Sequence, residues 1–75
     1  MSYFSVKVLR NNKPAPDVGV MIDYGLLGGY GEKRTHSDGW VEFHNYGSMP
    51  GTIWVHGRSM GSHSLADGKT YSFSI

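Results

Sequence analysis

The sequence predicts an all-β protein, with seven short strands in two antiparallel sheets packed face to face and no helix longer than one turn. Three observations carry this reading. Glycine supplies 11 of the 75 residues, and together with asparagine, aspartate and proline it punctuates the chain at short intervals, leaving β-branched and aromatic residues between the breaks. Within those stretches apolar and polar residues alternate with period two. Alanine, the best helix former, occurs only at Ala15 and Ala66, and no window repeats apolar residues at i, i+3, i+4 and i+7.

Residues 2–10 open the chain with Phe4, Val6 and Val8 on one face and Tyr3, Ser5 and Lys7 on the other, the pattern of a half-buried strand. Asn11 to Asp17 reads as a turn, because Pro14 and Pro16 each fix φ and remove a ladder donor. A second strand places Val18, Val20, Ile22 and Tyr24 on one face. It is interrupted by the loop 25–31, where four glycines carry Leu26, Leu27 and Tyr30. Residues 32–36 form a third strand, ending in the turn His36-Ser37-Asp38-Gly39, a hairpin signal. Residues 40–44 form a fourth, with Val41 and Phe43 facing inward and Trp40, Glu42 and His44 outward. After a connection over Asn45 to Gly51, Thr52 to Gly57 makes a fifth strand, Ile53 and Val55 inward, Trp54 and His56 outward. Residues 58–65 make a weak sixth strand diluted by Gly61. A second Asp-Gly turn, Asp67-Gly68, leads into the seventh, 69–75, where Tyr71, Phe73 and Ile75 alternate with Thr70, Ser72 and Ser74. No internal repeat or domain boundary interrupts residues 1–75, so one domain is expected.

Four stretches, Pro14-Ala15-Pro16-Asp17-Val18, Thr35-His36-Ser37-Asp38-Gly39-Trp40-Val41-Glu42-Phe43, Gly51-Thr52-Ile53-Trp54-Val55 and Gly68-Lys69-Thr70-Tyr71-Ser72-Phe73, follow one another along the chain. Together they resemble the carboxypeptidase regulatory-like domains of the prealbumin-like, or transthyretin-like, group of Ig-like β-sandwiches, and the resemblance runs nearly end to end. It implies a seven-stranded sandwich and a non-catalytic module of the stability, adhesion or carbohydrate-associated kind. It brings no catalytic residues with it. The glycine-rich loop 25–31 and the outward aromatics and histidines depart from the family's pattern. Elementary chemistry accounts for part of the motif: the Asp38 carboxylate caps the turn, Gly39 takes positive φ at no steric cost, and Phe43 lands on the face of Val41.

Composition narrows the function classes. A chain of this length buries only roughly 60–65% of the surface its unfolded form exposes, which leaves little room for an internal active site and puts binding on the surface. Without cysteine there is no disulfide frame, thiolate nucleophile or cysteine-rich zinc site. The net charge is +1, and the seven basic residues are scattered except for Lys33-Arg34, which argues against nucleic acid and anionic membranes. No apolar run approaches the about 20 residues of a membrane span, and residues 1–30 lack a secretory signal pattern. The compartment is left undetermined.

If the fourth and fifth strands are neighbours, Trp40, Glu42 and His44 stand beside Trp54 and His56 on one solvent face. With Tyr30 or Tyr46 at its border, that is an aromatic platform able to receive a partner protein or stack on a sugar ring. A covering role for loop 25–31 is the other reading, since Leu26 and Leu27 need apolar cover. The same face would bring His44, His56 and Glu42 together as a weak transition-metal site. The compact metal-binding spacings are absent, so surface histidines are the expectation and no cofactor is assigned.

No Gly-x-Ser-x-Gly elbow occurs, Asp38 and Asp67 belong to turns, and Gly28 to Lys33 lacks the Gly-Lys-Ser/Thr ending of a phosphate loop. Catalysis is therefore not expected. A small barrel binding nucleic acid through Tyr30, Trp40 and Phe43 with Lys33 and Arg34 is a further alternative, opposed by the alternation, which turns Trp40 and Phe43 to opposite faces. The expectation is a non-catalytic binding or structural module acting through protein–protein contacts made by Leu26, Leu27, Tyr30, Trp40, Glu42, His44, Trp54 and His56. A carbohydrate-binding accessory domain is the alternative. The partner is a protein or the remainder of a parent chain, and a homodimer, through a strand edge or through the Leu26-Leu27 loop, is a second expectation, with the first strand as an edge guarded only by Lys7 and Arg10.

Overall fold

A computed structural model describes residues 3–25, 29–44 and 50–75. They form eight strands and no helix: β1 (Tyr3–Arg10), β2 (Lys13–Pro14), β3 (Gly19–Asp23), β4 (Tyr30–Arg34), β5 (Trp40–His44), β6 (Pro50–Val55), β7 (Arg58–Ser64) and β8 (Thr70–Ser74). Two sheets result. In the first, β1 is central: β5 pairs antiparallel with one edge, β8 pairs parallel with the other, and β2 continues along the edge of β1 where β5 ends. Val8 marks the junction, donating its N–H to the Gly39 carbonyl at 2.8 Å and accepting the Ala15 N–H at 3.0 Å. The second sheet has the order β4-β3-β6-β7, antiparallel throughout.

The expected all-β class is what forms, but its details differ from expectation in four ways. There are eight described strands, not seven, because Asn11 and Asn12 take φ of 54° and 64° and fold β2 back as a two-residue hairpin inside the stretch read as a turn. The sheets are not purely antiparallel, since β8 runs parallel to β1. The first strand is no edge, as it is paired on both sides. Finally, the Asp-Gly turns are not hairpins. The turn at Asp38-Gly39 joins β4 of the second sheet to β5 of the first, and Asp67-Gly68 joins β7 to β8 in the same way. The local chemistry is as expected, with the Asp38 carboxylate accepting the Trp40 N–H at 3.1 Å and Gly39 at φ +79°. A turn of this kind sets the reversal, while the strands beyond it diverge to opposite layers.

Between the layers sits one apolar core. The first sheet contributes Phe4, Val6, Val8, Val41 and Phe43, the second Val20, Ile22, Ile53 and Val55, with Ala15, Val18, Tyr24 and Leu65 completing it. Alternation explains this set, since each buried residue of β1, β3, β5 and β6 is separated from the next by one outward residue. On one side of the molecule Lys33 closes the gap between the sheets, its Nζ donating to the Glu42 carbonyl at 2.9 Å and lying 5.5 Å from the Phe43 ring centre. On the other side His63 of β7 lies against Tyr71 and Phe73 of β8, with ring centres 5.4 and 5.7 Å apart.

Thr35 is the buried polar residue among those described, 5% exposed, and it clamps the proline turn. Its Oγ1 accepts the Val18 N–H at 2.9 Å and donates to the Ala15 carbonyl at 2.6 Å. Its own N–H and C=O bond Val18 and Asp17. The proline-rich turn and the Thr35 motif, distant in sequence, are thus two halves of one structure. Thr35→Val keeps the shape while leaving the buried Val18 N–H and Ala15 C=O without their hydroxyl partner. The expected loss is about 2–3 kcal/mol of stability, checked by urea unfolding; a loss under about 0.5 kcal/mol would mean that water reaches both groups.

Candidate functional site

Strand pairing assigns the outward side chains to two separate faces. On the first sheet, Tyr3 pairs with His44, Ser5 with Glu42 and Lys7 with Trp40. The Tyr3 and His44 rings lie 4.8 Å apart with a 32° tilt, and Lys7 Nζ sits 5.4 Å from the centre of the Trp40 ring. Trp40 is therefore half-buried beneath a lysine of its own sheet, and Glu42 and His44 are exposed.

Trp54 belongs to the second sheet, where it pairs with Met21 on one side and Ser59 on the other. Its outward face is thus on the opposite side of the molecule from Trp40, Glu42 and His44. The single aromatic platform expected from adjacent fourth and fifth strands does not form, because β5 pairs with β1 and β6 with β3. His56 is displaced from its expected strand as well. With φ of 53°, followed by Gly57 at 79°, it forms the two-residue turn between β6 and β7. The expected association of His56 with His44 and Glu42 is overturned by the same split between sheets, and among the described residues no three metal-ligating side chains converge. Leu26, Leu27 and Tyr46 lie outside the described residues; of Tyr30, the place at the start of β4 is described and the side chain is not.

The structure instead surrounds Trp54 with groups that no local pattern links to it. A solvent-open depression of about 460 Å³ lies on the outer face of the second sheet, lined by Trp54, Met21, Glu32 and Arg34 with Asp17, Gly19, His56 and Arg10 at its floor and rim. Gly19 leaves room at the floor, since a Cβ built there meets nothing within 4 Å. Neighbouring strands frame it. Glu32, Met21 and Trp54 form one row across β4, β3 and β6, and Arg34 stands opposite Gly19 in the next. The His56 N–H donates to the Gly19 carbonyl at 2.9 Å, which holds the β6–β7 turn against the floor. A second depression of about 290 Å³, lined by Arg58, Met60, Ser74 and Ile75, adjoins it through Arg10 and His56.

Charge at this site is mixed and accessible. Arg34 lies 3.6 Å from the Asp17 carboxylate and donates to the Asp17 carbonyl at 2.9 Å, yet both side chains are largely exposed, 68% and 82%. An exposed pair of this kind contributes little stability, so both groups can exchange partners at low cost. The arrangement offers an indole, a flexible thioether, a planar guanidinium and two carboxylates around an unfilled hollow. Sequence reasoning could identify Met21 and Glu32 as outward residues from their alternation; that they flank Trp54 follows only from the β3–β6 and β3–β4 pairings. Compared with known proteins, the chain matches no family model, no curated protein and no solved structure.

Proposed function

We propose that the chain is a non-catalytic binding module that recognises a protein partner through the outer face of the β4-β3-β6-β7 sheet. The observation that carries this reading is the hollow over Gly19, walled by Trp54 and bordered by Arg34. Tryptophan and arginine dominate binding hot spots, because each combines a large apolar body with directional polar groups. Met21 adds an adaptable surface beside them. An open hollow excludes little water, which favours recognition over catalysis. The fold proposed for the module is a prealbumin-like β-sandwich of the Ig-like type, akin to the carboxypeptidase regulatory-like domains, on the strength of the Pro14–Val18 and Thr35–Phe43 motifs, which the Thr35 clamp joins in space.

Carbohydrate is the second reading, favoured by the same indole standing beside exposed carboxylate and guanidinium groups. The two readings separate in one experiment. In a Trp40→Phe variant Trp54 is the sole indole, and its fluorescence is titrated with oligosaccharides and, separately, with peptides selected from a displayed library. Under the protein-partner reading selected peptides shift the emission and oligosaccharides do not, and Trp54→Ala weakens peptide binding at least about tenfold. A response to oligosaccharides alone transfers the site to glycan binding. Peptides that bind Trp54→Ala as well as the parent would place recognition elsewhere and overturn the assignment of this face.

A further inference from the structure

We infer that β8 is a self-pairing edge, and that two copies of the chain join through it into one continuous sheet, β8 against β8 antiparallel about a two-fold axis at Ser72. The hydrogen-bond directions set the geometry. Ser5 N–H bonds the Lys69 carbonyl and Ile75 N–H bonds the Leu9 carbonyl, at 2.9 and 2.8 Å. In a parallel ladder this parity turns the Lys69 carbonyl, the backbone groups of Tyr71 and Phe73 and the Ile75 N–H toward β1. Thr70, Ser72 and Ser74 therefore each point one N–H and one C=O away from it, and β8 pairs with no other described strand.

Edges of this kind are normally blocked. Among the described strands, β4 carries Glu32, Lys33 and Arg34, β7 carries Arg58 and Gly61 and is irregularly paired, β2 carries Lys13 and Pro14, and β5 is crossed by Lys33. Thr70 to Ser74 has no charge, proline, glycine or bulge, and so lacks each of the usual obstacles to edge pairing.

The occupant is a second copy because the strand is nearly palindromic about Ser72: hydroxyl, aromatic, serine, aromatic, hydroxyl. With Ser72 on the axis, Ser72 faces its own copy and Thr70 faces Ser74, so all the outward-pointing backbone groups of both strands become hydrogen-bonded pairs. Tyr71 then meets Phe73 of the other copy at the close, non-hydrogen-bonded position. Both rings are half-buried and packed on the core margin, so the contact covers apolar surface that the single chain leaves exposed. A register shifted by two residues unpairs an outward N–H and C=O at each end and replaces the two Tyr71–Phe73 pairs with a single like-residue aromatic pair on the axis.

Sedimentation equilibrium from low to high micromolar concentration tests this, together with two exposed-face variants, Ser72→Lys and Ser72→Glu. The wild type is expected to pass from the 8.3 kDa monomer to twice that mass. Each variant places like charges on the axis and is expected to raise the dimer dissociation constant at least about tenfold, with an unchanged circular dichroism spectrum. Mixing the two variants restores the dimer. A wild type monomeric throughout, a Ser72→Lys variant that still dimerises, or variants that fail to rescue each other would overturn the inference.

Discussion

Replacing Phe4 with alanine is expected to lower the free energy of unfolding by about 3–5 kcal/mol. Phe4 is fully buried, and it projects from β1, which among the described strands of the first sheet is the one bonded along both edges. Its ring stacks on Phe43 with centres 5.7 Å apart and meets the edge of Tyr71 at 5.9 Å, contacts worth something beyond the area they bury. Relaxation into the cavity is resisted because β1 cannot move without disturbing β5 and β8 together. Domains of this length have a total stability of roughly 4–11 kcal/mol, so the variant would stand close to unfolding at room temperature. Urea titration followed by circular dichroism measures the loss, with Phe4→Leu as the control expected to cost under about 1.5 kcal/mol. A Phe4→Ala cost as small as that of the control would contradict a tightly packed centre between the sheets.

Gly39→Ala is the second large effect, and Gly57→Ala its internal standard. Both glycines have φ of +79°, where an L side chain costs about 1 kcal/mol. At Gly57 that is the whole expected cost, since an added Cβ meets nothing within 4 Å. At Gly39 the same atom would stand 2.7 Å from the Val8 carbonyl oxygen, 3.1 Å from the Ala15 nitrogen and 3.2 Å from the Pro14 Cα. These are backbone atoms, and they belong to the place where β5 and β2 meet along β1. Something in that junction must shift, and the Gly39–Val8 and Val8–Ala15 hydrogen bonds are the first to lengthen. The expected loss is about 3 kcal/mol or more, corresponding to roughly 15 °C in melting temperature for a chain of this size. Equal melting temperatures for the two variants would show that the turn does not press on the β1–β2 hairpin.

Gly39 illustrates how far local reading reaches. The Asp38-Gly39 pair announces positive φ and an aspartate cap, and both are present. The close approach to Val8 and Pro14 involves residues more than twenty positions away, and no turn rule contains it. The same limit separates Trp40 from Trp54. Alternation correctly turns both side chains outward, since the period-two pattern needs only the strand itself. Which outward face each one joins depends on partner choice, and β5 and β6 take partners earlier in the chain instead of each other. His56 failed for a different reason: it continues the alternation of Ile53 to Val55, but the next residue is a glycine, and the His56-Gly57 pair makes the hairpin turn that the Asp-Gly pairs do not. Thr35 was visible as part of a motif, yet its burial and its bonds to Ala15 and Val18 become apparent only when the proline turn is folded over it.

The sequence by itself determined the all-β class, most of the sites of reversal and nearly all of the inward residues, because these depend on local backbone preference and on the free energy of hiding every second side chain. Tertiary structure alone decided the pairing: the central place of β1, the parallel approach of β8, the division of the tryptophans between two faces and the hollow over Gly19. Pairing joins segments remote in the chain. Competing arrangements of such segments satisfy the same alternation, so they are distinguished only by how well whole surfaces fit once the core has closed.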